Sequence, residues 1–423
     1  MQKIFENKRF HLWISGVLIL VVFLVYSNTF NASFHFDDTP HIVENYQIRN
    51  LGNIPEILKG QRGVTMATFA LNYAAGGLNV VGYHIVNISI HAVAAVLAYF
   101  LVFLTLGSLT EDETWAKRIA AYSALLFAVH PVQTQSVTYI VQRMESLASL
   151  FYLAALLFFI KSAKCSDSGK RIALYAGVAI AYVLGVMSKE IAITLPVIAL
   201  LYDYYFIAKG EVKGIFARIP VYAILAIISV IFIVVFIVPL GGFGDLSEES
   251  SGIAVGMAPS AGFGVKSISP LEYLFTQFNV IVYYIALLLA PINQNLDYDF
   301  PVSRGLFEMP VVKEGTVLNI PILPPVVSLS ILLAIVAVAV WLFFRYKRTG
   351  EPRALVISFF VFWFFIILAP TSSVVPIIDV IFEHRLYLAS LGFFVIFAVC
   401  LDWFFDWLGG RRAVSAEITG NRN

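Results

Sequence analysis

Long apolar runs separated by short polar segments follow one another along most of the chain. A helix that crosses the hydrocarbon core of a bilayer needs about 20 apolar residues, within a range of about 17 to 25. Ten runs roughly meet this requirement and lie near residues 11–29, 84–107, 119–139, 146–160, 172–188, 190–207, 219–240, 326–344, 354–370 and 386–407. The pattern therefore predicts an all-α polytopic membrane protein with about ten transmembrane helices.

Two further apolar stretches are not counted as crossings. Residues 273–291 are apolar enough to span, but a crossing there would move the polar residues 383–385 away from the side that holds the first outer loop. We therefore expect 273–291 to be re-entrant or to lie in the outer membrane interface. Residues 64–82 are only mildly apolar and are interrupted by two glycines. We expect them to form a helical part of the first outer loop, residues 31–82.

The composition agrees with a membrane protein and excludes other classes. Hydrophobic residues make up 59% of the 423 residues, charged residues make up only 13%, and the mean hydropathy is +0.83. Soluble domains carry about 25% charged residues. The net charge of +1 argues against a nucleic-acid partner and leaves membrane lipids as the expected surroundings. The two cysteines, Cys165 and Cys400, form neither a zinc-binding spacing nor a disulfide framework.

The distribution of Lys and Arg predicts the orientation. Most basic residues lie in alternate connections, which the positive-inside rule assigns to the cytoplasm. The N-terminal segment has the positive charge of a signal peptide, but its apolar run is too long and lacks a cleavage site, so we expect an uncleaved first helix. The prediction is a multi-pass protein of the cytoplasmic (inner) membrane with both termini inside.

The chain is expected to form a single domain, 1–423, with two parts. A catalytic module, 1–240, contains the first outer loop. A variable module, 241–423, contains the outer loops 241–325 and 371–385.

Two adjacent acids, Asp37 and Asp38, open the first outer loop. Neighbouring side chains in an irregular loop point in different directions, so we expect one acid to face a substrate while the other braces the loop. The alternative is a solvated turn that starts a helix, because Asp, Thr and Pro are typical of such turns.

The outer helix ends hold a group of ionisable and amide side chains. An ionisable residue near the bilayer centre costs roughly 2.5 to 3.5 kcal/mol on insertion scales, so such groups usually pair, line a water-filled cavity or act in function. The group consists of Arg62, His84, Asn87, His91, His130, Gln135, Arg143, Glu145, Lys189, Glu190, Glu383, His384 and Arg385. Together these side chains predict a polar cavity with acidic and cationic members.

Plainer interpretations apply to single members of this group. His84, Asn87 and His91 share one helix face at i, i+3 and i+7, and His91 is typical of a hydrogen-bonded packing residue. Two sets of neighbouring opposite charges are candidates for mutually neutralising pairs: Lys189 with Glu190, and Glu383 with Arg385.

Six dispersed motifs carry a resemblance to a known family. They are Phe36-Asp37-Asp38 with Ile42 and Asn45; Arg62 with Tyr83-His84-x-x-Asn87-x-x-x-His91; the stretch from His130 to Glu145; Ser188-Lys189-Glu190 with Leu201-Tyr202-Asp203; Pro370-Thr371-Ser372-Ser373; and Glu383-His384-Arg385-Leu386-Tyr387-Leu388. In this order, over about residues 10–400, the chain resembles the transmembrane part of the TMTC-type O-mannosyltransferases and their bacterial relatives, which belong to the glycosyltransferase C superfamily.

The chain departs from that family in two respects. Gln135 stands where relatives often carry an acid, which argues against a catalytic role at this position. The C-terminal tetratricopeptide repeats of the eukaryotic members are absent from this sequence, which leaves the acceptor open.

The resemblance implies a GT-C-like bundle that transfers a sugar, with inversion, from a polyprenyl-phosphate-linked donor to an acceptor hydroxyl. The acceptor would be a protein or a glycan on the outer face of the membrane. We expect Asp37, or else Asp38, to take the proton from the acceptor hydroxyl. The leaving phosphate needs cations, for which the candidates are Arg385, His384, Lys189 and Arg143. The residues expected to support the site are Glu383, Glu190, Glu145, Arg62, His84, Asn87, His91, His130 and Tyr387.

No cofactor is required by this chemistry, because side chains alone can neutralise the phosphate. A divalent metal is compatible with it but is not indicated. Asp297-Tyr298-Asp299 matches the D-x-D pattern of nucleotide-sugar enzymes. A three-residue match is weak and nucleotide sugars are not expected on an outer loop, so we expect a structural or acceptor-side feature there.

Two other classes of function remain open. A transporter of polyprenyl lipids or solutes also needs charged residues within its spans, but usually places them near the midplane of broken helices and often shows internal repeats, which this chain lacks. A lipid-linked glycan ligase or polymerase would share the donor, but typically uses a large late outer loop, whereas the distinctive acids here lie in the first loop.

Overall fold

The computed structural model describes residues 8–237, 261–262 and 265–420. In these residues the chain is helical apart from turns, irregular segments and one isolated bridge between Ala261 and Ile377. The helices are α1 (Lys8–Val25), α2 (Ile54–Ile57), α3 (Gly63–Gly76), α4 (Val80–Leu106), α5 (Glu113–Val129), α6 (Thr134–Thr138), α7 (Arg143–Ala163), α8 (Ser168–Val186), α9 (Leu195–Tyr202), α10 (Val212–Ile215), α11 (Ile219–Phe232), α12 (Pro270–Leu289), α13 (Pro325–Thr349), α14 (Pro352–Leu368) and α15 (Leu386–Gly420).

The prediction of an all-α multi-pass membrane protein is confirmed. Nine segments of the described chain are long and apolar enough to cross a membrane: Lys8–Thr29, Val80–Leu106, Ile140–Ala163, Ser168–Val186, Glu190–Ile207, Val212–Ile237, Pro270–Leu289, Pro325–Thr349 and Glu383–Leu408. Helix α14 is apolar but shorter. The first outer loop is helical in part, as expected, because it contains α2 and α3.

The predicted span 119–139 is displaced from the helix that forms. Helix α5 begins earlier, where Asp112 caps it by accepting the backbone N–H of Trp115 at 2.9 Å. It ends at Val129 because His130 precedes Pro131, and a residue before proline is disfavoured in the α conformation. Short helical turns follow as far as Gln142, and they contribute to the site described below.

The bundle has two ends that differ in their polar contacts. At the first, which we call the Asp38 end, the first outer loop contacts the connections 130–142 and 187–194, and connection 130–142 in turn contacts 290–324 and 369–385. At the opposite end, the Asp402 end, the Asp402 carboxylate binds Trp115 Nε1 at 2.8 Å, Arg353 at 3.0 Å and Arg118. Which end faces the cell exterior, and the division into two modules, stay predictions. The predicted boundary between residues 240 and 241 lies outside the described residues.

Helix α12, the stretch predicted to be re-entrant or interfacial, is a single unbroken helix. It is long enough to cross a membrane, yet its side-chain hydrogen bonds to the connection 369–385 lie at one end of the bundle. Near its start, the Tyr273 hydroxyl donates to the Thr371 carbonyl at 2.6 Å, and near its end the Tyr284 hydroxyl donates to the Phe382 carbonyl at 2.8 Å. Both acceptors belong to the connection 369–385. These contacts favour the interfacial alternative, since an unbroken helix does not form a re-entrant hairpin.

The start of α15 is held in place by close packing against α14. The Trp363 indole N–H donates to the Leu388 carbonyl at 3.0 Å. A Cβ at Gly392 would lie 2.6 Å from the Phe360 carbonyl oxygen, so this crossing requires glycine. The packing positions residues 383–385, which immediately precede α15, at the Asp38 end.

Candidate active site

Asp37 and Asp38 lie in opposite environments. The Asp38 side chain is fully buried, and its carboxylate accepts the backbone N–H of Val141 at 2.7 Å and of His35 at 3.2 Å. Burial raises the pKa of Asp38, while the two N–H donors act in the opposite direction. Asp37 is exposed. The Asp38 side chain does not cap the helical turn Thr39–Val43 that follows, so a simple helix start does not describe this loop.

Tyr139, which the sequence analysis did not single out, connects the acid loop to the bundle. Its hydroxyl accepts the backbone N–H of Asp37 at 2.8 Å, and its ring stacks on His35 with centroids 4.8 Å apart. Phe36, between these residues, has a φ of 47°. Such left-handed backbone is uncommon for a bulky residue and often occurs at functional sites. The contacts hold the loop in one conformation from both sides.

Two ion pairs cross between elements beside this loop. Arg62 Nε lies 3.0 Å from Glu190 Oε1 and Arg62 Nη2 lies 3.2 Å from Glu190 Oε2, which is a two-point contact. Lys189 Nζ lies 2.9 Å from Glu145 Oε2 and 3.2 Å from Gln142 Oε1. The alternative that Lys189 and Glu190 neutralise each other is therefore wrong, because each has its ion pair with another element.

The electrostatics of the two cations differ. The charge of Glu190 is the largest cause that raises the pKa of Arg62. Burial lowers the pKa of Lys189, although Glu145 acts against this shift. A buried lysine with a lowered pKa is typical of functional sites but also of structural ion pairs.

Arg385 has no ion pair with a carboxylate in the described part of the chain. Its guanidinium donates to the backbone carbonyls of Asp379 at 2.7 Å and Val380 at 3.2 Å, and only 4% of the residue is exposed. Glu383 instead accepts hydrogen bonds from Gln294, from the backbone N–H of Asn295 and from the Tyr298 hydroxyl. The expected alternative of a Glu383 pair with Arg385 does not form.

His384 is held by contacts with Gln135 and Phe382. Its backbone N–H donates to Gln135 Oε1 at 2.6 Å, and its ring stacks on Phe382 with centroids 5.0 Å apart. The charges of Lys189, Arg385 and Arg62 all act on the His384 imidazole. Arg62, Lys189 and Arg385, which are distant in sequence, therefore all lie within electrostatic range of His384.

Arg143 is enclosed by the protein. Its guanidinium donates to Asn87 Oδ1 at 2.6 Å, to Thr68 Oγ1 at 3.2 Å and to the Tyr83 carbonyl at 3.1 Å, and it lies over the Phe69 ring. The residue is fully buried. This geometry is that of a residue joining α3, α4 and α7, and its predicted role in phosphate binding stays untested.

The predicted supporting histidines join helices and loops. His84 Nε2 lies 3.0 Å from the Ala32 carbonyl, and His91 lies 2.7 Å from the Tyr387 hydroxyl and 3.1 Å from the Ala128 carbonyl. His130 caps the turn after α5 by accepting the N–H of Val132 at 3.2 Å. These contacts agree with the packing interpretation of His91.

A segment of the late connection, residues 294–298, covers part of this end. Gln135 Nε2 donates to the Leu296 carbonyl at 3.1 Å, and the Leu296 side chain packs on the cluster of Tyr139, Val141 and Met144. Within the D-x-D match both acids are exposed, and only Asp299 has an ion pair among the described residues, with Lys313 at 2.6 Å. The two acids of the motif therefore have different surroundings.

Asp379 is a further acid that the sequence analysis missed. Burial raises its pKa, and the charges of Arg385, Asp297 and Asp37 act on it. Asp37, Asp297 and Asp379 are therefore near enough for their charges to interact, although they are distant in sequence. In the described residues no three His, Cys, Asp or Glu side chains are grouped so as to hold a metal ion.

Fold and site together define a class: a multi-pass, all-helical membrane protein with an exposed acid and several buried cations gathered at one end of the bundle. Comparisons with known proteins agree with the resemblance predicted from the sequence, which is confirmed. The chain is 27% identical over 399 residues to Protein O-mannosyl-transferase F38B6.6 of Caenorhabditis elegans, covering 90% of this chain and 50% of that protein.

Other relatives carry the same activity in their names. Identity is 32% over 209 residues with Protein O-mannosyl-transferase TMTC3 of Mus musculus, covering 46% of this chain and 22% of that protein. It is 28% over 231 residues with Protein O-mannosyl-transferase TMTC4 of Homo sapiens, covering 49% and 31%. The chain thus spans about half the length of its curated relatives or less. No family model and no solved structure matches the chain.

Proposed function

We propose that the protein is a GT-C-type glycosyltransferase that moves a sugar from a polyprenyl-phosphate-linked donor to a hydroxyl group, with inversion. By analogy with the names of its relatives, the sugar is mannose and the acceptor is a protein. The observation that carries the proposal is the placement of the exposed Asp37 at the same end of the bundle as Arg385, a buried cation without a carboxylate partner in the described chain.

Asp37 acts as the general base in this proposal. The acceptor oxygen forms a bond to the anomeric carbon while the bond from that carbon to the donor phosphate oxygen breaks. The hydroxyl proton passes to the Asp37 carboxylate. General base catalysis of this kind contributes about 10² to 10⁴ in rate. Asp38 and Tyr139 hold the loop, because one binds the backbone of Val141 and the other the backbone of Asp37.

Arg385 binds the donor phosphate, whose negative charge must be stabilised as it leaves. A guanidinium makes two-point contacts with phosphate, and Arg385 donates to two backbone carbonyls but forms no ion pair with a carboxylate of the described residues. His384 precedes it in sequence, and the charges of both Arg385 and Lys189 act on His384. Lys189 already has Glu145 as its counter-ion, so we rank it after Arg385. The contacts of Arg143 favour a supporting role over direct phosphate binding.

An assay of sugar transfer distinguishes a transferase from a transporter. The purified full chain is incubated with radiolabelled polyprenyl-phosphate mannose and a Thr-containing peptide, and both labelled peptide and free mannose are measured. We expect labelled peptide with wild type and none with Asp37→Asn. The same protein is also reconstituted in vesicles, where movement of intact donor across the membrane without release of mannose would overturn the transferase proposal in favour of a transporter.

A further inference from the structure

A cavity of about 320 Å³ lies within the first outer loop, residues 31–82. Its walls come from the turns after Asn45 and from residues 56–61, and Met66 on α3 closes one side. Ligand sites usually have volumes of roughly 300 to 1,000 Å³, so this cavity is suited to a few residues of a chain or to a single small ring. The proposed catalytic step does not involve it.

The polar lining consists of amide groups on a fixed backbone. Gln47 is anchored through its main chain, since its N–H donates to Asn45 Oδ1 at 3.0 Å and its carbonyl accepts from Asn53 at 3.0 Å. Its side chain is exposed and makes no hydrogen bond to any described residue. Gln61 donates through Nε2 to Glu190 at 2.9 Å. A primary amide offers both donors and an acceptor, which match the groups of a peptide backbone.

The apolar lining is aliphatic. Ile48 and Ile57 are buried, and Met66 is half-buried. None of the lining side chains, all of which belong to the described chain, carries an aromatic ring. A sugar ring would therefore lack a stacking surface here, whereas a small aliphatic side chain would find a matching one. At the rim, Glu56 and Lys59 pair with each other at 2.7 Å and leave no net charge.

The cavity adjoins the candidate active site through two of its walls. Gln61 contacts Glu190, which forms the two-point contact with Arg62. Met66 packs on the cluster that contains Tyr139, and the Tyr139 hydroxyl binds the backbone of Asp37. A ligand held in the cavity is thus separated from the backbone of Asp37 by two side chains, those of Met66 and Tyr139.

We propose that this cavity binds an extended, uncharged segment of an acceptor polypeptide. The amides of Gln47 and Gln61 bind its backbone, the half-buried Met66 contacts a small aliphatic side chain above the buried Ile48 and Ile57, and a neighbouring Ser or Thr hydroxyl extends towards Asp37. The assignment rests on the proposed transferase function, of which it defines the acceptor side. It favours a polypeptide over a glycan because the lining lacks aromatic rings.

Binding of a fluorescent Thr/Ala peptide to the detergent-purified full chain, measured by anisotropy without donor, tests the proposal. Gln47→Ala removes the free amide and should weaken peptide binding about tenfold, the effect of one hydrogen bond. Gln47→Phe fills the cavity and should abolish binding. Glu44→Phe, on an exposed residue of the same loop that does not line the cavity, should bind as wild type does. Thermal unfolding of all three variants should match wild type.

Unchanged peptide affinity in a folded Gln47→Phe variant would overturn the proposal. A mannose oligosaccharide probe that binds wild type and is lost in Gln47→Phe, while the peptide never binds, would overturn the polypeptide assignment. Peptide affinity that depends on Gln47 supports the cavity even when wild type releases no mannose from the donor. That combination would overturn only the transferase function.

Discussion

Asp37 and Asp38 are neighbours in sequence with different chemistry, and this difference makes their variants distinguishable. Asp37→Asn keeps the size of an exposed side chain and removes the base, so we expect transfer to fall at least about 100-fold with unchanged thermal stability. The initial rate of mannose transfer and the melting temperature measure the two effects. Wild-type turnover in Asp37→Asn would rule out the base assignment.

Asp38→Asn is the matched variant, and here we expect the stability of the loop to change. One oxygen of Asp38 accepts from Val141 and the other from His35, and an amide replaces one acceptor by a donor. We expect a loss of about 1 to 3 kcal/mol in the stability of the loop, detected as faster hydrogen exchange around residues 35–43. A variant that lost activity without any change in exchange would instead indicate a direct chemical role for Asp38.

Arg385→Lys tests phosphate binding. Lysine keeps the charge but cannot make the two-point contact, so donor affinity should fall by the roughly 1.5 to 3 kcal/mol of a charged hydrogen bond. Binding of polyprenyl-phosphate mannose is measured directly, with Arg353→Lys at the Asp402 end as the control. If Arg385→Lys binds donor like wild type, Lys189 becomes the first candidate.

At the scale of elements, segment 294–298 is expected to be held by Glu383. Tyr298→Phe removes one of the three hydrogen bonds that Glu383 accepts from this segment. A single hydrogen bond is worth about 1 kcal/mol, and the rate of hydrogen exchange in 294–298 should increase by the factor that corresponds to this free energy. Lys313→Ala is the control, because the Lys313 pair with Asp299 is exposed and such pairs contribute little. Equal exchange in both variants would contradict the role of Glu383.

The sequence predicted which segments form helices better than where they end. Membrane-length runs follow from composition alone, but the end of α5 depends on Pro131, a signal present in the sequence that the apolar run obscured. The partners of Lys189 and Glu190 depend on how α7 and α3 pack beside the turn after α8. No local pattern contains that information. Asp379 and Tyr139 were missed for the same reason, since their roles arise from contacts with distant segments.

At the scale of the whole molecule, the orientation predicted from Lys and Arg is open to direct labelling. In a background with Cys165→Ser and Cys400→Ser, single cysteines at Asp299 and Ser372 should react with an impermeant thiol reagent from outside, and those at Lys164 and Thr349 should not. The expected labelling at position 349 depends on whether α12 crosses the membrane, and the contacts of α12 favour a position at the Asp38 end. Labelling of position 349 from outside would show that α12 crosses the membrane.

One unbroken helix, α15, connects Arg385 at one end of the bundle to Asp402 at the other. Seventeen residues at about 1.5 Å each give a separation of roughly 26 Å, close to the thickness of the hydrocarbon core at about 30 Å. The anchored Asp402 therefore sets how far Arg385, the proposed donor-binding residue, extends from the bundle. In a thinner or thicker bilayer the helix must tilt, and transfer rates measured in vesicles should pass through a maximum as the acyl chains of the lipids are lengthened.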